Sequence, residues 1–542
     1  MKRIRNMTKT SYIESGNWSK RHSILTTLTA VLLASVVVSS VTASIPISSD
    51  KDLTLVYAVK QSISGSQSTH QTQNVYNASG STMSQTADNL MSNTGSGDDE
   101  QKIQAAQVIE QDQNVQNSWN TINQQSASNE ITNEADGGSE TTQEVIGLQK
   151  ISQDQDILQS SGSENTQLGA NIMRNSQEGD DSENIQGIET EQDLQQVQFS
   201  QISKVGLNTQ EGLNYAANSA EGDDSTTDQQ IAGAQKLYMK QWPARMNGAT
   251  FDEYGQNVKE NVASGDNTES EQEITGDQDL KQHQANDNHA PTDTPLSNYY
   301  LVGSNEQTNE HEDTTSSDGG SSSQSISGGQ QANQTQHSHA TTLGPPAQPV
   351  YTDFDEWGQG VNRMANYDSH SGSGNTEQTI EGEQNMLTQQ HVHHSRGTDT
   401  DSYFNQLNSK VNEDVSNHDG DATQKLDGDQ EIEVDQHVNN SPDSHHSHIH
   451  SNEQTNELHD DAEDDSEQEI DVDQDISDHS TTDHPDSTCC PGDDISTEIH
   501  NKVSNSNSNS NSNSDDDDDD DDDKKKDDRK NDRKDRKNDR RR

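Results

Sequence analysis

The feature that most limits what this chain can become is a cassette, Gln-x-aliphatic-x-Gly-x-Gln-x-aliphatic-x-x-x-Gln, repeated ten times. The copies begin at Gln61, Gln101, Gln143, Gln186, Gln229, Gln272, Gln324, Gln378, Gln424 and Gln468. Five intervals of 40 to 43 residues are followed by four of 44 to 54, with the added residues gathered near 285–375. Insertions of this kind map to loops of a repeat array. The marked positions all fall at even offsets, so in an extended chain they share one face. On a helix the two aliphatic positions would lie about 240° apart and no apolar stripe would form. A strand is therefore the reading. Its repeated face is represented by Gln61, Ile63 and Gln67, by Gln272, Ile274 and Gln278, by Gln378, Ile380 and Gln384, and by Gln430 and Ile432.

One such strand exposes both edges and cannot stand alone, whereas stacked copies would lay Gln on Gln and Ile on Ile. Glycine in the shared face, as at Gly65, Gly147 and Gly276, would admit a neighbouring backbone or mark a bulge. A weaker element lies between cassettes. Phe251-Asp252-Glu253-Tyr254-Gly255-Gln256-Asn257-Val258 recurs as Phe354-Asp355-Glu356-Trp357-Gly358-Gln359-Gly360-Val361, with looser forms at Trp119, Tyr215 and Phe404. Acidic glycine turns such as Gly179-Asp180-Asp181 and Gly222-Asp223-Asp224 precede the next strand.

Composition opposes a conventional core. Only 24% of the 542 residues are hydrophobic and 4% aromatic, while 34 Lys and Arg face 96 Asp and Glu, for a net charge of −62. Ordering a residue costs about 1–2 kcal/mol, and so little apolar surface does not offset that. The expectation is a largely disordered, acidic, low-complexity chain with ten short β-prone repeats and one N-terminal apolar helix. A β-solenoid or stacked-strand array is the form the repeats would take on pairing.

The domain reading follows from composition shifts. Residues 1–43 carry a basic flank and an uncharged run, with Ile24 to Val41 long enough to cross a bilayer and Val41-Thr42-Ala43 suited to cleavage, so they form a signal peptide or a signal anchor. Residues 44–60 are a spacer, 61–480 the ten-unit array, and 481–514 a Ser/Asn/His-rich linker holding Cys489 and Cys490. Residues 515–542 are an Asp run followed by a mixed-charge tail. The chain beyond Ala43 is expected outside the cell, secreted or anchored at the cell surface.

Between residues 44 and 514 there are 81 acidic and 16 basic residues, which repels nucleic acid and anionic membrane and attracts cations. Membrane contact is expected only through 24–41. Hard Ca²⁺ suits turn carboxylates, here Asp98, Asp99, Asp180, Asp181, Asp223 and Asp224. Nineteen of 21 His lie after residue 280, and the tracts His391/His393/His394 and His445/His446/His448/His450 suit loosely bound Zn²⁺, Ni²⁺ or Cu²⁺. Asp471, Asp473 and Asp475 imitate the start of an EF-hand loop, but Ile476 and Thr482 stand where Gly and Glu are needed. No catalytic constellation or phosphate loop occurs and no cofactor is required. The function expected is that of an exported, non-enzymatic acidic repeat protein of the cell surface or extracellular matrix. It would associate with itself through β pairing and bind divalent cations, with basic proteins and mineral surfaces as further partners. The alternative is a fully disordered secreted polyanion acting as a metal- or mineral-binding coat.

Overall fold

A computed structural model describes residues 40–43 and 59–507, apart from 97–98, 138–139, 160, 181, 202–203, 245–246, 289–296, 314–320, 341–351, 370, 373, 395–397, 416, 419–420, 440–444, 460–465, 472 and 484–493. The apolar segment read as an N-terminal helix, the Cys pair and the Asp-rich tail lie outside the described residues. Strands dominate what is described, and no helix occurs among the described residues. The expectation of a largely disordered chain is thereby overturned, while its stacked-strand part fits.

Each cassette opens one rung of a two-sided array, and the rungs are numbered here by cassette. Rung 1 consists of a strand Val59–Tyr76 and a returning strand Thr82–Ser96. The first strands of successive rungs pair in parallel into one sheet and the second strands into another. All ten cassette glutamines, Gln61 to Gln468, are in register. Register persists across the insertions, Gln272 pairing Gln324 and Gln324 pairing Gln378. The segment read as a linker after residue 480 contributes Asp494–Asn507, the second strand of rung 10. A short strand Ser40–Ala43 lies antiparallel on the outer edge of rung 1.

The two sheets face each other, and alternate residues point between them, as in the buried/exposed alternation of Thr82–Ser96. The third cassette position forms one apolar column, including Ile103, Val145, Ile188, Ile231, Ile274, Ile326, Ile380 and Leu426. The ninth forms another, including Ile109, Ile151, Leu194, Leu237, Leu280, Met386 and Ile432. Burying one such side chain contributes about 1.5–3 kcal/mol. Between these columns run amides. Gln67, Gln107, Gln149, Gln192, Gln235, Gln278, Gln330, Gln384, Gln430 and Gln474 are joined by nine Nε2 to Oε1 hydrogen bonds of 2.7–2.9 Å. The second amide proton crosses the interior, Gln278 Nε2 donating to the Glu306 carbonyl at 2.9 Å. This is why little apolar surface suffices: buried amides that saturate one another avoid the penalty of burial.

The facing sheet answers with asparagine. Asn89, Asn129, Asn171, Asn214, Asn257, Asn305, Asn362, Asn408 and Asn452 form a chain of eight Nδ2 to Oδ1 bonds. A second column runs from Asn133 to Asn456. Asparagines donate toward the following rung and glutamines toward the preceding one, so the two sets of ladder dipoles oppose each other. Residues at even offsets on a strand share a face, and Asn-x-x-x-Asn satisfies that in every unit from Asn89/Asn93 to Asn501/Asn505. The aromatic element is in a different register from its apparent sequence match. Phe251 pairs with Tyr299, and Tyr299 with Glu356, so Phe354 stands two residues out of line with Phe251. A shift of two preserves the face, which is how the resemblance misleads.

In rungs 6 to 9 the first strand breaks at the cassette glycine, as between Glu269–Thr275 and Gln278–Asn288. Gly276 has φ 89°, and a Cβ there would lie 2.4 Å from the Gly233 carbonyl oxygen, so both conformation and contact demand glycine.

The ladder carries a test. Replacing Gln278 with Leu strands the Gln235 Oε1, the Glu306 carbonyl and the Gln330 amide. Loss of about 3 kcal/mol in denaturant unfolding is expected, against less than about 0.5 kcal/mol for the outward Glu189→Ser.

Candidate functional site

Three features of the array bear on function: its ends, its charged flanks, and the points where interior ladders change residue. At the C-terminal end, rung 10 is built from Ser466–Asp471, Gln474–Asp483 and Asp494–Asn507, and no further rung follows among the described residues. Gln468 and Gln474 donate back to Gln424 and Gln430, so their own Oε1 atoms face the open side. Ile470 and Ile476 are only partly buried there, and Ile499 and Val503 are 49% and 56% exposed. At the other end Gln61, Ile63 and Gln67 are partly exposed, and Ser40–Ala43 covers the edge from Val59 to Ser62. The repeat-face residues Gln272, Ile274, Gln278, Gln378, Ile380, Gln384, Gln430 and Ile432 lie buried between these ends.

The acidic turns stack as well. The Asp180 Oδ1 accepts the Asp223 backbone N–H at 3.3 Å, and Asp223 Oδ1 accepts that of Asp266 at 3.0 Å. Asn267 Nδ2 donates to Asp224 Oδ1 at 2.7 Å. These carboxylates thus tie one turn to the next. Asp98, Asp181 and the side chain of Asp99 lie outside the described residues. On the strands, outward carboxylates meet across rungs. Burial and then Asp112 and Asp156 raise the pKa of Asp154, and burial with Glu271 and Glu273 raises that of Asp228. Lys102 relieves Glu144 at 2.6 Å, but lysines are too few to do so throughout.

The histidine tracts divide. His391 faces outward and stacks on His337, with ring centroids 4.8 Å apart and planes at 6°, and lies 6.4 Å from His437. His393, His394, His445 and His446 are in strands, but their side chains lie outside the described residues. His448 and His450 point inward and are buried. The sequence groups each tract as one loosely metal-binding cluster; strand alternation separates its members.

Several buried ionisable residues escaped the sequence reading. Glu253 follows Gln85, Gln125, Gln167 and Gln210 in an interior column. Burial pushes its pKa from 4.5 up to about 8. Gln210 Oε1 is buried and lacks a hydrogen-bond donor, so the protonated Glu253 carboxyl is the natural successor to the amide. Lys259 and Lys410 stand opposite the glycine breaks. Lys259 Nζ donates to the carbonyls of Gly233, Thr275 and Gly276 at 2.7–2.8 Å, and Lys410 Nζ to those of Gly382, Asp427 and Gly428 at 2.5–2.9 Å. Burial lowers their pKa values to about 7 and about 8, while three carbonyls each hold the ammonium form. Thr268, His311, Asp368 and Thr376 form a buried chain, with His311 Nδ1 2.7 Å from Asp368 Oδ1 and His311 Nε2 2.8 Å from Thr268 Oγ1. The connectivity is that of a hydroxyl, base and acid, yet Thr268 is 1% exposed and sits within the core. The usable signal for all of these was inward parity: Lys259 and Lys410 each follow a ladder asparagine by two residues.

Compared with known proteins, the chain matches no family model, and no curated protein or solved structure is significantly similar to it.

Glu253 sets a pH dependence. Above about pH 4.5 the unfolded chain releases this proton while the folded one keeps it, so this group lowers stability as pH rises toward about 8, after which its effect levels off. Glu253→Gln is expected to raise the stability at neutral pH by on the order of a few kcal/mol, seen as a higher melting temperature, and to flatten that part of the profile in thermal scans from pH 4 to pH 9.

Proposed function

We propose that this chain is an exported, non-enzymatic acidic scaffold of the cell surface or extracellular matrix, a β-solenoid rod that joins end to end and gathers divalent cations along its flanks. The reading rests above all on the polarity of the glutamine ladders. One end offers unused Oε1 acceptors at Gln468 and Gln474, and the other offers amide donors at Gln61 and Gln67 in the same columns. A second copy placed on rung 10 continues both ladders and covers Ile470, Ile476, Ile499 and Val503. Such a head-to-tail contact does not close on itself and therefore propagates. Each copy adds ten rungs at about 4.8 Å each.

Export is supported by the basic flank and uncharged run ahead of Ala43. Cleavage after Ala43 removes Ser40–Ala43 from the edge of rung 1 and opens that end, which couples assembly to passage out of the cell. Cation binding is supported by the in-register carboxylates, whose mutual repulsion a divalent ion relieves.

The leaderless chain is expected to form filaments in electron microscopy and to sediment with increasing mass as concentration rises. The double variant Ile470→Asp/Ile476→Asp should remain monomeric with an unchanged β-sheet circular dichroism spectrum. A leaderless chain that stays monomeric at all concentrations, with and without Ca²⁺, defeats the reading. Chelation at low ionic strength should lower the melting temperature, and millimolar Ca²⁺ should restore it more fully than Na⁺ at equal ionic strength.

A further inference from the structure

Interior columns keep one chemistry over several rungs, and three neighbouring columns that have already left theirs reach ionisable residues on adjacent rungs, 9 and 10. In the asparagine-bearing sheet, the column that held Gln85 to Gln210 reaches Phe404 and then His448. Two residues along, a column of small residues such as Gly255, Gly303 and Gly360 passes through Gln406 to His450. On the facing sheet the column of Gln334, Thr388 and Val434 ends at Asp478.

Both imidazoles are 0% exposed, and none of their four ring nitrogens has a hydrogen-bond partner. Leaving such groups unsatisfied costs about 1–3 kcal/mol each. The rings meet edge to face at 83° with centroids 5.7 Å apart. One ring nitrogen from each and a carboxylate oxygen of Asp478 lie within 4.8 Å of one another. Among the described residues this is the one group of three His, Cys, Asp or Glu side chains whose ligand atoms come together.

We propose that His448, His450 and Asp478 form an internal site for a borderline divalent transition-metal ion of the Zn²⁺ class, bound by two imidazoles and one carboxylate. Zinc bonds of about 2.0–2.2 Å place tetrahedral ligand atoms about 3.3 Å apart, a closure that small side-chain rotations supply. The ion fills the donor demand of two buried rings and neutralises the carboxylate between the sheets. Burial disfavours the charged form of both rings, and His448 adds to this for His450, against the pull of Asp478. Phe404, edge-on to His448 at 5.6 Å, and the buried Val434 next to Asp478 in its column supply apolar surroundings. Three protein ligands leave a further position for water. The site belongs to a single chain and uses none of the exposed carboxylates, so it stands or falls apart from filament assembly and from Ca²⁺ binding.

The test uses the full chain stripped with chelator, in millimolar Ca²⁺ to occupy surface carboxylates. Titration with Co²⁺ is expected to give visible d–d bands saturating at one ion per chain, which one equivalent of Zn²⁺ abolishes. The His448→Phe/His450→Leu variant should lose the bands and weaken the tight step by roughly 100-fold or more, while His337→Ser/His437→Ser, altered in the outer histidine column, should retain both. X-ray absorption of the one-to-one Zn²⁺ form of the unaltered chain should show two imidazoles per zinc, a readout independent of whether the variant folds. Absence of a saturable one-ion step, its survival in a folded His448/His450 variant, or fewer than two imidazoles at the zinc overturns the proposal.

Discussion

A buried primary amide has one acceptor and two donor protons to satisfy, and in this protein the acceptor and one donor are met by an identical amide in the rung above or below. The remaining proton is met by a backbone carbonyl of the opposite sheet, as Gln149 Nε2 shows by donating to Gln107 Oε1 and to the Ile172 carbonyl. This arrangement works only when successive rungs are parallel and in register, because a slip of one residue would turn every amide outward and every charged residue inward. Parallel pairing, cassette spacing and a two-sheet path follow from it. The aliphatic columns flank the ladders and exclude water, which makes each amide bond matter more.

Positions where an interior column changes residue are where ionisable chemistry gathers. Glu253 succeeds Gln210 in an amide column and answers its acceptor by keeping its proton. Lys259 and Lys410 succeed Ala216 and Met364 and spend three protons each on carbonyls exposed at glycine breaks, while His311 succeeds Ala263 and pairs with Asp368. His448 and His450 bring four ring nitrogens into the interior without a protein partner, beside a carboxylate. The same rule that makes the core uniform thus makes its exceptions reactive or ligand-seeking.

The outer faces obey opposite demands. In-register stacking places like residues one above another, which favours Gln on Gln but sets Glu near Glu and Asp near Asp on the flanks. Cross-rung pairs such as Lys150 with Asp193 and Arg363 with Glu306 relieve part of this, and exposed pairs of this kind contribute little individually. In the end-to-end assembly proposed above, the net charge of −62 would keep lateral faces apart while the amide columns at the ends carry no charge, which would favour growth along the axis over growth sideways.

The sequence by itself determined the strand face, its period and the ten-fold count, because even offsets of Gln and aliphatic residues are a local property of an extended chain. It also held the second strand in plain view as Asn-x-x-x-Asn, a pattern obscured by the ordinary association of asparagine with turns. Order itself was not legible from composition, since a count of apolar residues takes no account of amides that satisfy one another only once stacked. Only the tertiary structure decided that asparagine columns face glutamine columns, that Phe354 is displaced from Phe251, and that His448 and His450 turn inward to meet Asp478 while His391 turns out. The facing of the ladders and the meeting with Asp478 depend on which strand lies across the interior, and the displacement of Phe354 on which strand lies beside it, relations between separate strands that no local period encodes.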